Sequence, residues 1–201
     1  DLSDKFSFFH KKAIDLARAA IDQTQKNVLI AGCLPPLVWS YRPDKAPDYE
    51  KCVELYLQIV REQEQFVDLF ICETMASLKE AKAAVDAAKT SGKTVWCGLT
   101  LEDNENCELR SGEKLLDSVR ELQSFGQEEF LLNCSFPEAI NSGITILSQN
   151  TKFFGGYANG FTSIEPLKTA SNVSVLSARK DLGPKEYSKH ALNWAKQGAS
   201  V

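Results

Sequence analysis

Residues 130–140 read Phe-Leu-Leu-Asn-Cys-Ser-Phe-Pro-Glu-Ala-Ile and place a thiol at a junction between two elements. The apolar run is that of a short strand, and it stops at Asn133-Cys134. Ser135 and Glu138 have the Ser-x-x-Glu spacing of a capping box, and Pro137 falls in a first helical turn, where a missing N–H costs nothing. Cys134 is thereby expected at the carboxyl end of a strand, just ahead of a helix amino terminus. α/β proteins collect their chemistry at such points, and the helix dipole with its free amides favours a thiolate there. The competing reading is a buried cysteine serving as a small apolar side chain.

The other candidate groups sit at equivalent junctions. Val67 to Cys72 reads as a strand followed at once by Glu73-Thr74, and a weaker strand over 152–157 ends in Tyr157-Ala158-Asn159-Gly160. If all strands run parallel, Gly32-Cys33, Glu73-Thr74, Thr100, Asn133-Cys134, Tyr157 and Asn159 share one face, a plausible small-molecule site. Each has a plainer alternative. Glu73 can answer a helix dipole near Ser77, and Tyr157 with Asn159 can serve the Asn-Gly turn. Cys33, Cys72 and Cys97 lie within apolar runs and read as core, as does Cys52 on a helix face, whereas Cys107 reads as a loop residue. His10 and His190 fall on helices and read as surface or packing residues.

The elements that must position these groups alternate regularly. Helical spacing over 6–22 precedes a strand over 27–34, followed by a proline-rich loop to Asp48, long enough to serve as a binding loop. A helix then runs to about Gln65. After the strand at 67–72, Ser77 and Glu80 form a second capping box, and Gly92 closes that helix. A strand over 94–101, a polar turn region, a helix around Leu115, Val119 and Leu122, the strand at 129–133 and its helix follow. After the fifth strand, 161–182 reads as a loop with a short helical piece. Pro184 opens a last helix, and Ala199-Ser200-Val201 looks like the start of another strand. Five strand–helix units with apolar strands predict a parallel sheet covered by helices, as a doubly wound open sheet or a (β/α)8 barrel. On the barrel reading the first two strands and most of the eighth are missing, so the sequence is expected to be part of a longer chain, with 1–201 a single domain incomplete at both ends. No glycine-rich fingerprint follows a strand, so nucleotide binding has no support.

Composition sets outer bounds. The 201 residues are 43% hydrophobic and 25% charged, which suits one substantial globular core. The net charge of −4, with both signs interspersed, gives no basic stripe for nucleic acid, and no apolar run is long enough to cross a membrane. Six scattered cysteines without a C-x-x-C pair favour reduced thiols and the cytoplasm.

Several of these stretches together resemble the homocysteine S-methyltransferase family. They are Ala31-Gly32-Cys33-Leu34-Pro35-Pro36, Ser40-Tyr41-Arg42-Pro43-Asp44, Asp68 to Met75, Leu132-Asn133-Cys134-Ser135, Tyr157-Ala158-Asn159-Gly160 and Trp194 to Ala199, in family order along the chain. The resemblance implies a zinc-dependent (β/α)8 barrel that transfers a methyl group from a small donor to homocysteine, giving methionine. It implies that Cys134 is one of three zinc thiolates, with the other two expected beyond Val201. Glu73 would hold the homocysteine amino group, and Asn133, Tyr157 and Asn159 would line the pocket. The alternative is a barrel of the same family that has lost catalysis and binds a ligand or partner.

Overall fold

Each apolar run becomes a strand, and all five strands join one parallel sheet in the order in which they occur along the chain. The computed structural model describes residues 3–170 and 172–201. The order of elements is α1 (Phe6–Thr24), β1 (Ala31–Leu34), α2 (Tyr49–Gln63), β2 (Leu69–Met75), α3 (Leu78–Lys89), β3 (Val95–Leu99), α4 (Leu115–Ser124), β4 (Glu129–Asn133), α5 (Pro137–Asn150), β5 (Phe153–Tyr157) and α6 (Pro184–Lys196). Neighbouring strands that are parallel and consecutive, each followed by a helix, form the repeating unit of a β/α barrel. Short 3-10 turns interrupt the loops after β1 and β5. Among the described residues, no helix is long and apolar enough to cross a membrane.

The helices cover one face of the sheet. Tyr56 and Val60 of α2, Ala81, Ala84 and Ala88 of α3, Val119 and Leu122 of α4 and Ile140, Ile144 and Leu147 of α5 form one buried cluster with Phe70, Cys72, Cys97, Phe130 and Leu132. Each fully buried Leu, Ile or Phe contributes about 1.5–3 kcal/mol by leaving water. Glycines close the helices where a reversed turn is needed: Gly92, Gly126 and Gly198 all have positive φ. Beyond α6, the Ser200 N–H donates to Phe154 O and the Gly156 N–H to Val201 O, so the chain pairs along the free side of β5, as Ala199-Ser200-Val201 suggested. Gly155 permits this approach, because a Cβ there would collide with the Val201 carbonyl.

Strand alternation decides which side chains face away from the helices. Cys33 pairs with Ile71, Ile71 with Trp96, Gly98 with Leu131 and Asn133 with Tyr157. Paired residues in a parallel sheet point to the same side, and residues two apart in a strand do so as well. Cys33, Ile71, Glu73, Trp96, Gly98, Leu131, Asn133 and Tyr157 therefore share the interior face. Cys72 and Cys97 lie on the helix face and are core, as their setting in apolar runs implied. Cys33 is the correction: it is exposed on the interior face rather than packed in the core. Its register, one step out of phase with Cys72, is the reason.

Candidate functional site

β2 and β4 meet at an irregular end. The pairing of β2 with β3 shifts between Cys72 and Met75, so β2 runs three residues further than its apolar pattern suggested. Thr74 within that bulge has φ +61°, and Cys134, just past β4, has φ +54°. Two non-glycine residues in this sparsely populated region are held there by specific partners. The carboxamide of Asn133, fully buried, does most of the holding. Its Oδ1 accepts the Thr74 N–H at 3.2 Å, and its Nδ2 donates to Thr74 Oγ1 at 2.8 Å. The bulge has withdrawn that N–H from the ladder, and an unpaired buried amide would cost about 1–3 kcal/mol. Gly98 leaves room for this side chain, since a Cβ there would come within 3.1 Å of Asn133 Oδ1.

The Cys134 sulfur sits above this arrangement. Thr74 Oγ1 and Asn133 Nδ2 each lie 3.3 Å from it, and the Cys134 N–H donates to Tyr157 O at 3.2 Å. Its side chain is partly exposed, so the thiol faces the open interior rather than the core.

Beside it lies a second group. Glu73 Oε1 accepts from the Tyr157 hydroxyl at 2.9 Å, and Oε2 accepts from the Cys33 thiol at 3.2 Å. Surrounding protein, and then the Glu73 carboxylate, push the Cys33 thiol up to about 12. Burial, and then Glu73, also push the Tyr157 phenol up. Both partners thus stay protonated and donate to Glu73 on the interior face.

An outer ring completes the site, and most of it escaped the reading of strand ends. Tyr41 is buried at φ +65°, and burial and then the nearby Cys134 thiol push its phenol up. Arg110 comes from the turn region after β3. Its Nε donates to Thr100 Oγ1 at 3.1 Å, and its Nη2 to Asp103 Oδ1 and to Cys134 O, both at 3.3 Å. Its guanidinium lies 4.8 Å from the centre of the Tyr41 ring. Ser135 does not cap α5, whose N-cap is Phe136 without a side-chain bond. Its hydroxyl is taken up by the Leu101 N–H at 2.8 Å and by Thr100. Asp103 accepts the Phe136 N–H at 2.8 Å in its place, and Glu138 pairs with Arg179 at 2.8 and 2.9 Å. Pro137 does open the helix, as its position implied.

Asn159 stands apart from both groups. Its N–H donates to Ser135 O at 3.0 Å, and its Oδ1 accepts the Phe161 N–H at 3.2 Å, a local turn bond. Its Nδ2 is shielded from water and has no partner among the described residues. His190 bonds Asn141 on α5, away from the strand ends, whereas His10 bonds Gln63, which in turn bonds the Cys33 backbone. A cavity of about 430 Å³ opens next to Tyr41 and is walled by Trp39, Phe161, Leu167, Val173 and Leu176. Among the described residues, no three His, Cys, Asp or Glu side chains converge closely enough to hold a metal ion. Cys134 could donate one thiolate to a metal, and the residues present do not fit a complete zinc site.

Consecutive parallel β/α units place a thiol, a carboxylate, an amide and a phenol at the carboxyl ends of the strands, the arrangement of a β/α-barrel protein with a candidate small-molecule site. The profile of the homocysteine S-methyltransferase family matches residues 1–201, and the chain belongs to that family. Solved structures agree in fold. The apo form of the homocysteine methyltransferase MmuM from Escherichia coli superposes with a TM-score of 0.72 at 19% identity, covering 99% of this chain and 68% of that one. The metallated and oxidized forms of the same protein give 0.72 at 19% and 20% identity, each covering 96% of this chain and 64% of theirs. The chain thus spans about two thirds of the length of the structures it matches. No curated protein sequence matches it.

Proposed function

We propose that residues 1–201 belong to a single-domain barrel that transfers a methyl group from a small donor to homocysteine, with methionine as product. The observation that carries this reading is the adjacency of two unlike groups on one interior face. The Cys134 thiol and the Glu73 carboxylate, held by Tyr157 and Cys33, suit the two ends of a short amino acid bearing a thiol. Glu73 is the partner for the substrate ammonium. Tyr157 and Cys33 aim the carboxylate, while Asn133 and Thr74 fix the setting of Cys134. Asn159 is assigned to the pocket on the family motif alone, since its side chain turns to the Phe161 N–H and its Nδ2 is shielded from water. The cavity beside Tyr41 is the space for the donor.

In the reaction, a bond forms between the homocysteine sulfur and the methyl carbon as the donor's bond to that carbon breaks. The breaking pair stays with the donor. Holding the reactants in line supplies much of the acceleration. A free thiol is mostly protonated at neutral pH, and a zinc ion, when bound, would stabilise the substrate sulfur as thiolate. We assign Cys134 as one ligand of that zinc, in a centre completed by ligands that residues 1–201 do not contain. Six unpaired cysteines support a reducing, cytoplasmic setting.

The test uses the full-length protein. Zinc content is measured first, then methionine formation from homocysteine with S-methylmethionine, S-adenosylmethionine and betaine in turn. Stoichiometric zinc and homocysteine-dependent methionine are expected. A protein that binds homocysteine in calorimetry yet turns over with none of these donors would instead be a ligand-binding member of the family.

A further inference from the structure

We infer that Arg110 is the positioning residue of this site, and that it acts through the shape of its guanidinium rather than through its charge. The inference rests on the function proposed above. The Arg110 side chain is 1% exposed, yet it comes from a polar turn region rather than from a strand or helix. A buried guanidinium is costly unless its donors are used, and here they converge on the site. Nε binds the Thr100 hydroxyl and Nη2 reaches both Asp103 and the Cys134 carbonyl. Glu102 approaches Nη1 at 3.8 Å. The same group lies 4.8 Å from the centre of the Tyr41 ring.

Arg110 therefore grips Cys134 through its carbonyl and ties it to the loops that carry Thr100, Asp103 and Tyr41. Its hydrogen bond to the Cys134 carbonyl braces a residue held at φ +54°, and its contact with the ring of Tyr41 packs against a second residue at positive φ, +65°. Asp103 extends the brace, accepting from Arg110 and from the Phe136 N–H at the start of α5. Neither Glu73 nor the Tyr157 hydroxyl is a partner of Arg110, which reaches the carboxylate end only indirectly, through the Cys134 N–H bond to Tyr157 O. A planar fork can satisfy these directions at once, whereas the ammonium of lysine is a single point of charge.

The experiment compares Arg110→Lys and Arg110→Met in the full-length protein. Arg110→Met leaves Asp103 and Glu102 without their cation and is expected to lower the melting temperature. Arg110→Lys is expected to recover the melting temperature to near wild type. Its kcat should nevertheless fall about tenfold to a hundredfold, the scale at which a small misplacement of a reacting group acts. Its KM for homocysteine should change less than about threefold, because the Glu73 contact is intact. A second readout needs no turnover: alkylation of Cys134 by iodoacetamide in the chelator-treated full chain, mapped by mass spectrometry. The lysine variant should differ from wild type by about threefold or more, once the sulfur is no longer braced. If Arg110→Lys matches wild type in kcat and in Cys134 alkylation, Arg110 is only a structural ion pair and the inference is overturned. If the wild type turns over with no donor, the proposed function fails, and the alkylation rates alone decide the role of Arg110.

Discussion

The two halves of the site are built in different ways. Around Cys134 the fixing contacts are buried and largely made by backbone: Thr74 N–H to Asn133, Cys134 N–H to Tyr157 O, Arg110 to Cys134 O. Around Glu73 they are side chain to side chain on the open interior face, from Tyr157 and Cys33. The first half is rigid and holds a thiol in place through strained backbone. The second leaves a carboxylate with two neutral donors and room for a third, charged one. A ligand cation can improve the second half, whereas the first is complete apart from whatever binds the sulfur. Backbone-braced placement suits a group whose position sets a rate, and adjustable side chains suit a group that sets affinity.

Three substitutions would break or sharpen this contrast. The largest effect is expected from Cys134→Ser in the full-length protein. A hydroxyl is a poor zinc ligand at neutral pH, so zinc content and methyl transfer should both be lost, measured by metal analysis and product formation. Far-UV circular dichroism should stay near wild type, because the residue ends a strand and is not core. Retention of full zinc and turnover would sink the role assigned to the thiol.

Glu73→Ala should keep the zinc and weaken homocysteine instead. A charge-assisted bond is worth about 1.5–3 kcal/mol, which corresponds to a loss of roughly tenfold to more than a hundredfold in affinity by calorimetry. A variant that lost metal while keeping affinity would mean the two halves had been assigned the wrong way round.

The smallest effect concerns Cys33. With its thiol held near 12, only a small fraction is thiolate at neutral pH, although the side chain is accessible. Raising the pH should speed its alkylation steeply, because the raised value keeps the neutral form dominant until strongly basic solution. Glu73→Gln removes the neighbouring negative charge, which should lower that value and increase the rate at pH 8 by about threefold or more. Equal rates in Glu73→Gln and wild type, read by mass spectrometry, would show that the carboxylate does not control this thiol.

Much of the architecture could be read from local pattern. Apolar runs of strand length alternating with helical spacing gave five parallel strands in chain order. Ser77 was legible as a cap and does accept the Glu80 N–H at 3.2 Å. Even there the pattern covered only half of the contact. Glu80 turns away from Ser77 to accept from the Leu37 N–H at 3.0 Å and the Tyr56 hydroxyl at 3.1 Å. The Ser135–Glu138 pair fared worse, because Leu101 and Arg179 offered stronger partners to both.

What the chain determined by itself was whatever depends on neighbours a few residues away: strand and helix periods, the proline at the start of α5, and the placement of Glu73, Asn133 and Cys134 at strand ends. Tertiary structure alone decided which of those groups touch. Glu73 and Tyr157 are 84 residues apart, and Asn133 and Thr74 are 59 apart. Arg110 carried no signal and Tyr41 none beyond its place in the Ser40–Asp44 family stretch, since a phenol in a proline-rich loop and an arginine in a polar turn look like surface. Their burial follows from the sheet register, which brings the loops after β1, β3 and β4 over one thiol. Period-2 alternation fixed which residues share a face within a strand, but only pairing between strands set the phase that turned Cys33 toward Glu73 and Cys72 into the core.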